Sequence, residues 1–220
     1  MADFDPKRLA GKFVVLDGGE GCGKSTQVRR LSRLLDSAAV PHLLVRDPGT
    51  TAAGEKIRDL LLDPATGDLD VRCEMLLYMA ARAQMLAETI RPALSRGEAV
   101  LADRFVSSTL AYQAFGDLTA DEIRQVAAVA TAGRSPDLTI ILDVPTEVAM
   151  RRVVPKFVPL FEGGRDPTRD RIEQRPETYH RQVRQRYLAQ QADDVVIVDA
   201  TGDEDITHRR VLDVLQSHLS

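Results

Sequence analysis

The stretch Gly18-Gly19-Glu20-Gly21-Cys22-Gly23-Lys24-Ser25 decides the fold. It satisfies G-x-x-x-x-G-K-[ST], the phosphate-binding loop, at every fixed position. Its flanks agree. The apolar, β-prone run Phe13-Val14-Val15-Leu16 precedes it. Val28, Leu31, Leu34 and Leu35 follow on one stripe of an amphipathic helix. The order is strand, glycine loop, helix. Polyphosphate oxygens need several backbone N–H groups at once, and glycine lets the chain curl close enough to supply them. A helix opening near Lys24 aims the positive end of its dipole at the anion. Lys24 can reach the outer phosphates, and the Ser25 hydroxyl can hold Mg²⁺.

Working outward, 220 residues with 44% hydrophobic content suit one α/β domain spanning 1–220. A net charge of −4 argues against a general nucleic-acid binder, which would carry a basic stripe. Most of the positive charge is arginine, the residue suited to bidentate phosphate binding. Cys22 sits inside the loop, where a bridge to Cys73 would block a ligand, so a reducing cytoplasm is expected. The first twelve residues lack a signal-peptide core, and no apolar run is long enough to cross a membrane.

Five apolar runs read as strands: Phe13–Asp17, His42–Val45, Ala99–Ala102, Leu138–Leu142 and Val195–Val198. Helical patterns alternate with them at about 24–38, 71–95 (bent near Pro92), 120–132, 176–191 and 204–219, with a short helix through Ile57, Leu60 and Leu61. Residues 1–12 read as a frayed lead-in, and Ser107-Ser108-Thr109 as a polar stretch leading to Tyr112. The pattern implies a three-layer α/β fold of the P-loop NTPase type: a five-stranded parallel sheet with helices on both faces. Ligands then bind at the C-terminal ends of the strands. Those ends carry Asp17, Arg46, Asp103-Arg104, Asp143 and Asp199. Between strands four and five, residues 151–175 hold the apolar run Val153–Phe161 and then a glycine-hinged run bearing Arg165, Arg169 and Arg171. This is either a lid or a solvated charged loop; composition alone does not choose.

At this point the chain resembles the thymidylate kinase family over nearly its whole length. The matching stretches are Asp17–Thr26, Arg46-Asp47-Pro48-Gly49-Thr50, Tyr78–Arg82, Asp103-Arg104-Phe105, Ser108–Gln113, Pro136–Val144 and Asp170–Glu173. The resemblance implies transfer of a phosphoryl group from ATP-Mg²⁺ to dTMP. It implies that Gly18, Gly19, Glu20, Gly21, Cys22, Gly23, Lys24, Ser25 and Thr26 bind the donor nucleotide, joined by Arg165 and Arg169 from the lid. Ser25 and Asp103 would organise Mg²⁺, and Lys24, Arg46, Asp103 and Arg104 would form the catalytic group. Asp17, Arg46, Tyr78, Arg82, Arg104, Ser108, Thr109, Tyr112, Gln113 and Asp170 would line the dTMP site. Within it, Arg46 would grip the acceptor phosphate, Tyr78 stack on the base, Arg82 meet a base carbonyl and Tyr112 crowd the 2′ position. Adenine would lie against Asp199-Ala200-Thr201, and a homodimer is implied.

The chain departs from the family pattern at Asp47 for Glu, Thr50 for the second Gly, Phe105 for Tyr or His, and in the Val153–Phe161 insert, which either packs on the body or meets another subunit. The stripe Met75/Leu76/Met79/Leu86 could likewise be core or subunit contact. Two rival classes remain in view. One is another nucleoside monophosphate kinase, or a deoxynucleoside kinase using Glu20 or Asp103 as base. The other is a P-loop ATPase or GTPase switch, but the chain contains no asparagine and so no Asn-Lys-x-Asp stretch.

Overall fold

The computed structural model describes residues 4–152 and 170–219. Its element order is β1 (Phe13–Asp17), α1 (Lys24–Ser37), β2 (His42–Arg46), α2 (Ala52–Leu62), α3 (Val71–Met85), α4 (Arg91–Ser95), β3 (Ala99–Asp103), α5 (Val106–Tyr112), α6 (Ala120–Thr131), β4 (Leu138–Asp143), α7 (Thr146–Arg152), α8 (Glu177–Leu188), β5 (Val195–Asp199) and α9 (Glu204–His218). The five strands pair in the order β2-β3-β1-β4-β5, all parallel. The sheet is therefore the one expected. β1 lies at its centre between β3 and β4; the chain fills β2 and β3 on one side and then crosses over to β4 and β5 on the other. That reversal is where an open α/β sheet forms its ligand crevice.

Alternate strand residues point to opposite faces, and each face has its own core. Val14 and Leu16 of β1 pack with Leu101, Ile140, Leu142 and Val198 under Val28, Leu31 and Leu35 of α1 and Val211 and Leu215 of α9. Phe13 and Val15 pack with Val45, Val100 and Ala102 against Met85, Ile90 and Ala93. β1 is buried along its whole length, so the loop that follows it grows from the buried centre of the sheet.

The structure sharpens three local expectations. The break expected near Pro92 falls in the turn before it, where Leu86–Ile90 is π-helical. Proline has no N–H to give and crowds the preceding turn, so the hydrogen-bond ladder widens upstream. The polar stretch at Ser107-Ser108-Thr109 is helical as α5, and all three side chains are buried. Their hydroxyls find buried partners, so the helix need not face water. From residue 4 onward the lead-in is not frayed: Pro6–Leu9 forms a 3₁₀ turn capped by Asp5, with Leu9 at 0% exposure in the α1–α9 core. The stripe question resolves residue by residue. Met75, Met79 and Leu86 are core, whereas Leu76 is 54% exposed. The expected lid at 151–175 lies mostly outside the described residues, as do Val153–Phe161, Arg165 and Arg169.

Leu9→Ala tests the lead-in. A frayed segment would tolerate it; a core residue loses about 2–5 kcal/mol, read as a lowered urea midpoint with unchanged slope.

Candidate active site

The loop between β1 and α1 turns through left-handed backbone at Gly18, Gly21 and Gly23, with φ of 133°, 70° and 100°. Gly18 is also a close approach. A Cβ there would sit 2.4 Å from the Leu142 carbonyl oxygen and 2.9 Å from Cys22 Sγ. α1 then opens with no side chain capping its first N–H groups. A bare helix N-terminus beneath a curled glycine loop is an anion seat. Lys24 folds back over it, donating from Nζ to Gly18 O at 3.1 Å and Gly19 O at 2.8 Å. Cys22 is buried beside Lys24; burial pushes its thiol up despite the nearby ammonium, so the thiol stays protonated and inert. The half-buried Thr26 follows in the first turn of α1.

Ser25 Oγ donates to Asp103 Oδ2 at 2.7 Å. A hydroxyl and a carboxylate so placed form a hard-oxygen pair, and Mg²⁺ takes one or two such ligands together with substrate phosphates. The residues fit that ion. Asp103 is also where neighbouring strands meet: its register partners are Leu16 of β1 and Arg46 of β2.

Arg104 follows in a left-handed conformation, φ 76°. Its guanidinium donates to Gly18 O at 3.0 Å, Ser108 Oγ at 3.1 Å, Tyr187 Oη at 3.2 Å and the carboxylate of Glu20, and lies over the Tyr112 ring. Tyr112 also donates to Glu20 Oε1 at 3.3 Å. Burial alone would push the Glu20 carboxyl up; Arg104, then Lys24 and the Tyr112 hydroxyl, outweigh it and hold the group at about 2.

Asp17 was expected at the substrate. It is instead wholly buried beneath the loop, accepting from Gly18 N at 2.8 Å, Ser107 Oγ at 2.5 Å, Ser108 Oγ at 2.7 Å and Tyr187 Oη at 2.7 Å. Its part is to hold the loop. Arg46, at the end of β2, pairs with Glu55 at 3.1 Å. Thr50, at φ 71°, occupies a conformation that disfavours β-branched residues. Its hydroxyl bridges Arg46 N and O, and its N–H donates to Glu55 Oε1 at 2.7 Å, so local hydrogen bonds offset the strain where the family carries glycine.

On α3, Tyr78 is half-buried, and burial followed by the Glu74 carboxylate pushes its phenol up. Arg82, expected to meet a base, is 1% exposed. Its Nε donates to Asp47 Oδ2 at 2.6 Å, and its Nη2 donates to Phe105 O at 3.1 Å and Thr109 Oγ1 at 3.2 Å. Among the described residues its Nη1 has only the thioether of Met79, a weak acceptor, at 3.1 Å. Gln113 is buried on Glu74, and Asp170 opens the turn before α8, its carboxyl pushed up by burial. Arg171, expected among lid arginines, is clamped to Glu74 Oε1 at 2.6 Å.

Two contributors escaped the sequence reading. Tyr187 continues the apolar face of α8 from Val183 and reads as core; nothing in its spacing shows the hydroxyl on Asp17. Arg58 on α2 lies among Arg46, Glu55, Tyr78 and Asp170, and its pKa is lowered by burial and then by Arg46's like charge. Two guanidiniums held together in this way make an anion-binding corner.

A glycine loop on a helix N-terminus, a serine–aspartate oxygen pair beside it and facing arginines define a P-loop phosphotransferase. Comparison with known proteins narrows the class. The family model described as thymidylate kinase matches residues 16–211. A thymidylate kinase from Pelotomaculum thermopropionicum is 40% identical over 95% of this chain and 93% of its own length. One from Cutibacterium acnes is 40% identical over 82% of each chain, and one from Fervidobacterium nodosum is 37% identical over 94% of this chain and 100% of its own. The chain belongs to the thymidylate kinase family.

Glu20's lowered pKa gives a signed expectation. The lowered carboxyl of Glu20, with Arg104 its foremost charge partner, contributes on the order of 3 kcal/mol of stability, full above pH 4.5 and lost as pH falls toward 2. Glu20→Gln should therefore be less stable than wild type at pH 7, with the gap in urea midpoint closing below pH 3.

Proposed function

We propose that the protein transfers the γ-phosphoryl group of ATP to the 5′-phosphate of dTMP, giving ADP and dTDP. Membership of the thymidylate kinase family supports the acceptor. The single observation that carries the geometry is Asp103, which touches the donor side through Ser25 and stands in register with Arg46 on the acceptor side. The acceptor oxygen is already anionic, so no general base is required. The work is positioning two polyanions and offsetting their repulsion.

In this reading the N–H groups from Gly18 to Thr26 seat the triphosphate, and Lys24 exchanges the Gly18 and Gly19 carbonyls for phosphate oxygens. Ser25 and Asp103 would hold Mg²⁺, which would supply positive charge against the phosphates. Arg104 keeps its guanidinium over the junction, and Arg46 with Arg58 grips the acceptor phosphate. Tyr78 offers a ring face to thymine, and Arg82 Nη1, held only by a thioether, is the donor left for a base carbonyl. Ser108, Thr109 and Gln113 fix these side chains from behind, and Asp170 closes the sugar side. Arg165 and Arg169 would add charge from the expected lid.

Two broader elements belong to the proposal. Leu76 on α3 and Val129 on α6, 54% and 82% exposed on packed neighbours, suit a second copy of the chain, in keeping with a homodimer. Cys22 and Cys73 are unbridged, as a reducing cytoplasm would leave them. Among the described residues no helix is long and apolar enough to cross a membrane.

The decisive experiment is ADP release with ATP and Mg²⁺ when dTMP, dUMP, dCMP, UMP, dGMP and thymidine are offered separately. Strong preference for dTMP is expected. Preference for thymidine or another monophosphate would overturn the acceptor site, and turnover without any acceptor would return the chain to the switch class. Within the same assay, Tyr112→Ala should raise turnover of ribo-TMP relative to dTMP by about tenfold; an unaltered ratio would refute its role at the sugar.

A further inference from the structure

Glu74 lies in the first turn of α3 and is 1% exposed, yet it takes no part in the chemistry above. A buried carboxylate persists only where charge and hydrogen bonds repay its desolvation. Here three side chains supply them. Arg171 Nη1 and Arg175 Nη2 each reach Oε1 at 2.6 Å, and Gln113 Nε2 reaches Oε2 at 3.2 Å. Arg171 carries the connection further, donating from Nε to Leu61 O at 3.0 Å and from its backbone N–H to Leu62 O at 3.1 Å. One carboxylate thus joins α3, the end of α2, the turn before α8 and the end of α5.

Two of these routes end at Tyr112. Gln113 is its chain neighbour. Arg175 lies over the Tyr179 ring at 4.5 Å, and the Tyr179 hydroxyl donates to Tyr112 O at 2.9 Å. Glu74 itself stands one helical turn before Tyr78, on the same face of α3. We infer that Glu74 is a positioning residue that sets the gap between the base side of the acceptor site, Tyr78 and Arg82, and its sugar side, Tyr112.

The inference rests on the acceptor reading above and adds a consequence of its own. A residue that only stabilises the fold changes how much active enzyme there is, and every acceptor loses turnover alike. A residue that sets the width of the site changes the ratio between acceptors, and that ratio does not depend on the active fraction.

The test measures kcat/KM for dTMP and ribo-TMP, and KM for ATP, in wild type, Glu74→Gln and Arg175→Gln. The amide keeps Glu74's shape and removes the charge that draws two guanidiniums together. Arg175→Gln cuts only the Tyr179 route, at a half-buried side chain whose loss leaves Arg171 on Glu74. The expected result is a fall of about tenfold in the dTMP/ribo-TMP ratio for Glu74→Gln, a smaller fall for Arg175→Gln, and KM for ATP within about twofold of wild type. Lower activity with an unaltered ratio overturns the inference. If Glu74→Gln gives no folded protein, Arg175→Gln decides alone, by the same ratio. A wild-type protein that does not prefer dTMP removes the function reading, and the inference with it, before any variant is compared.

Discussion

A buried carboxylate at the end of the central strand is the constraint on which the rest depends. Asp17 is sealed from water at the end of the central strand, where an unpaired charge would cost several kcal/mol. It is satisfied only if Gly18, Ser107, Ser108 and Tyr187 all converge on it. Those donors belong to the glycine loop, α5 and α8. Meeting the charge therefore fixes three segments, far apart in sequence, to one strand end. The loop is held from beneath by its own first N–H, and Arg104 is held from behind by Ser108 and Tyr187. The buried tyrosine remains protonated because burial, followed by Asp17's charge, pushes its pKa well up, so it stays a donor to the carboxylate.

The sheet was legible because its signal is local and redundant. Five apolar runs, a loop motif matched at all four of its fixed positions and helical stripes all agree, and none needs a distant partner. The errors arose where a distant partner decides. Ser107-Ser108-Thr109 is polar by composition, yet it forms a buried helix because Asp17 and Arg82 take its hydroxyls. Pro92 marks an interruption whose actual place, one turn upstream, depends on ladder geometry rather than on the residue itself.

The site divides in the same way. Lys24, Ser25, Asp103 and Arg104 are readable because motif and strand end put them at one edge. Asp17 carries a charge that the resemblance assigns to a ligand, whereas the structure turns it inward, onto the loop; Arg82 gives its Nε to Asp47 and its Nη1 to the Met79 thioether. Arg58, Glu74 and Tyr187 were invisible. An arginine on α2, an acid in a first helical turn and an aromatic on an apolar face each have an ordinary explanation until the fold brings their partners to them.

The distribution of charge completes the argument. Two polyanionic substrates need concentrated positive charge, yet the chain is acidic overall, at −4. The conflict is resolved by pairing. Arg46 rests on Glu55, Arg104 on Glu20, and Arg171 and Arg175 on Glu74. Each carboxylate offsets the repulsion that like-charged guanidiniums would otherwise feel, and each holds a long side chain in one rotamer. A phosphate arriving at Arg46 and Arg104, as proposed above, would meet donors already in place, with little reorganisation left at the moment of transfer. The same acids that make the protein acidic are what make its anion site possible.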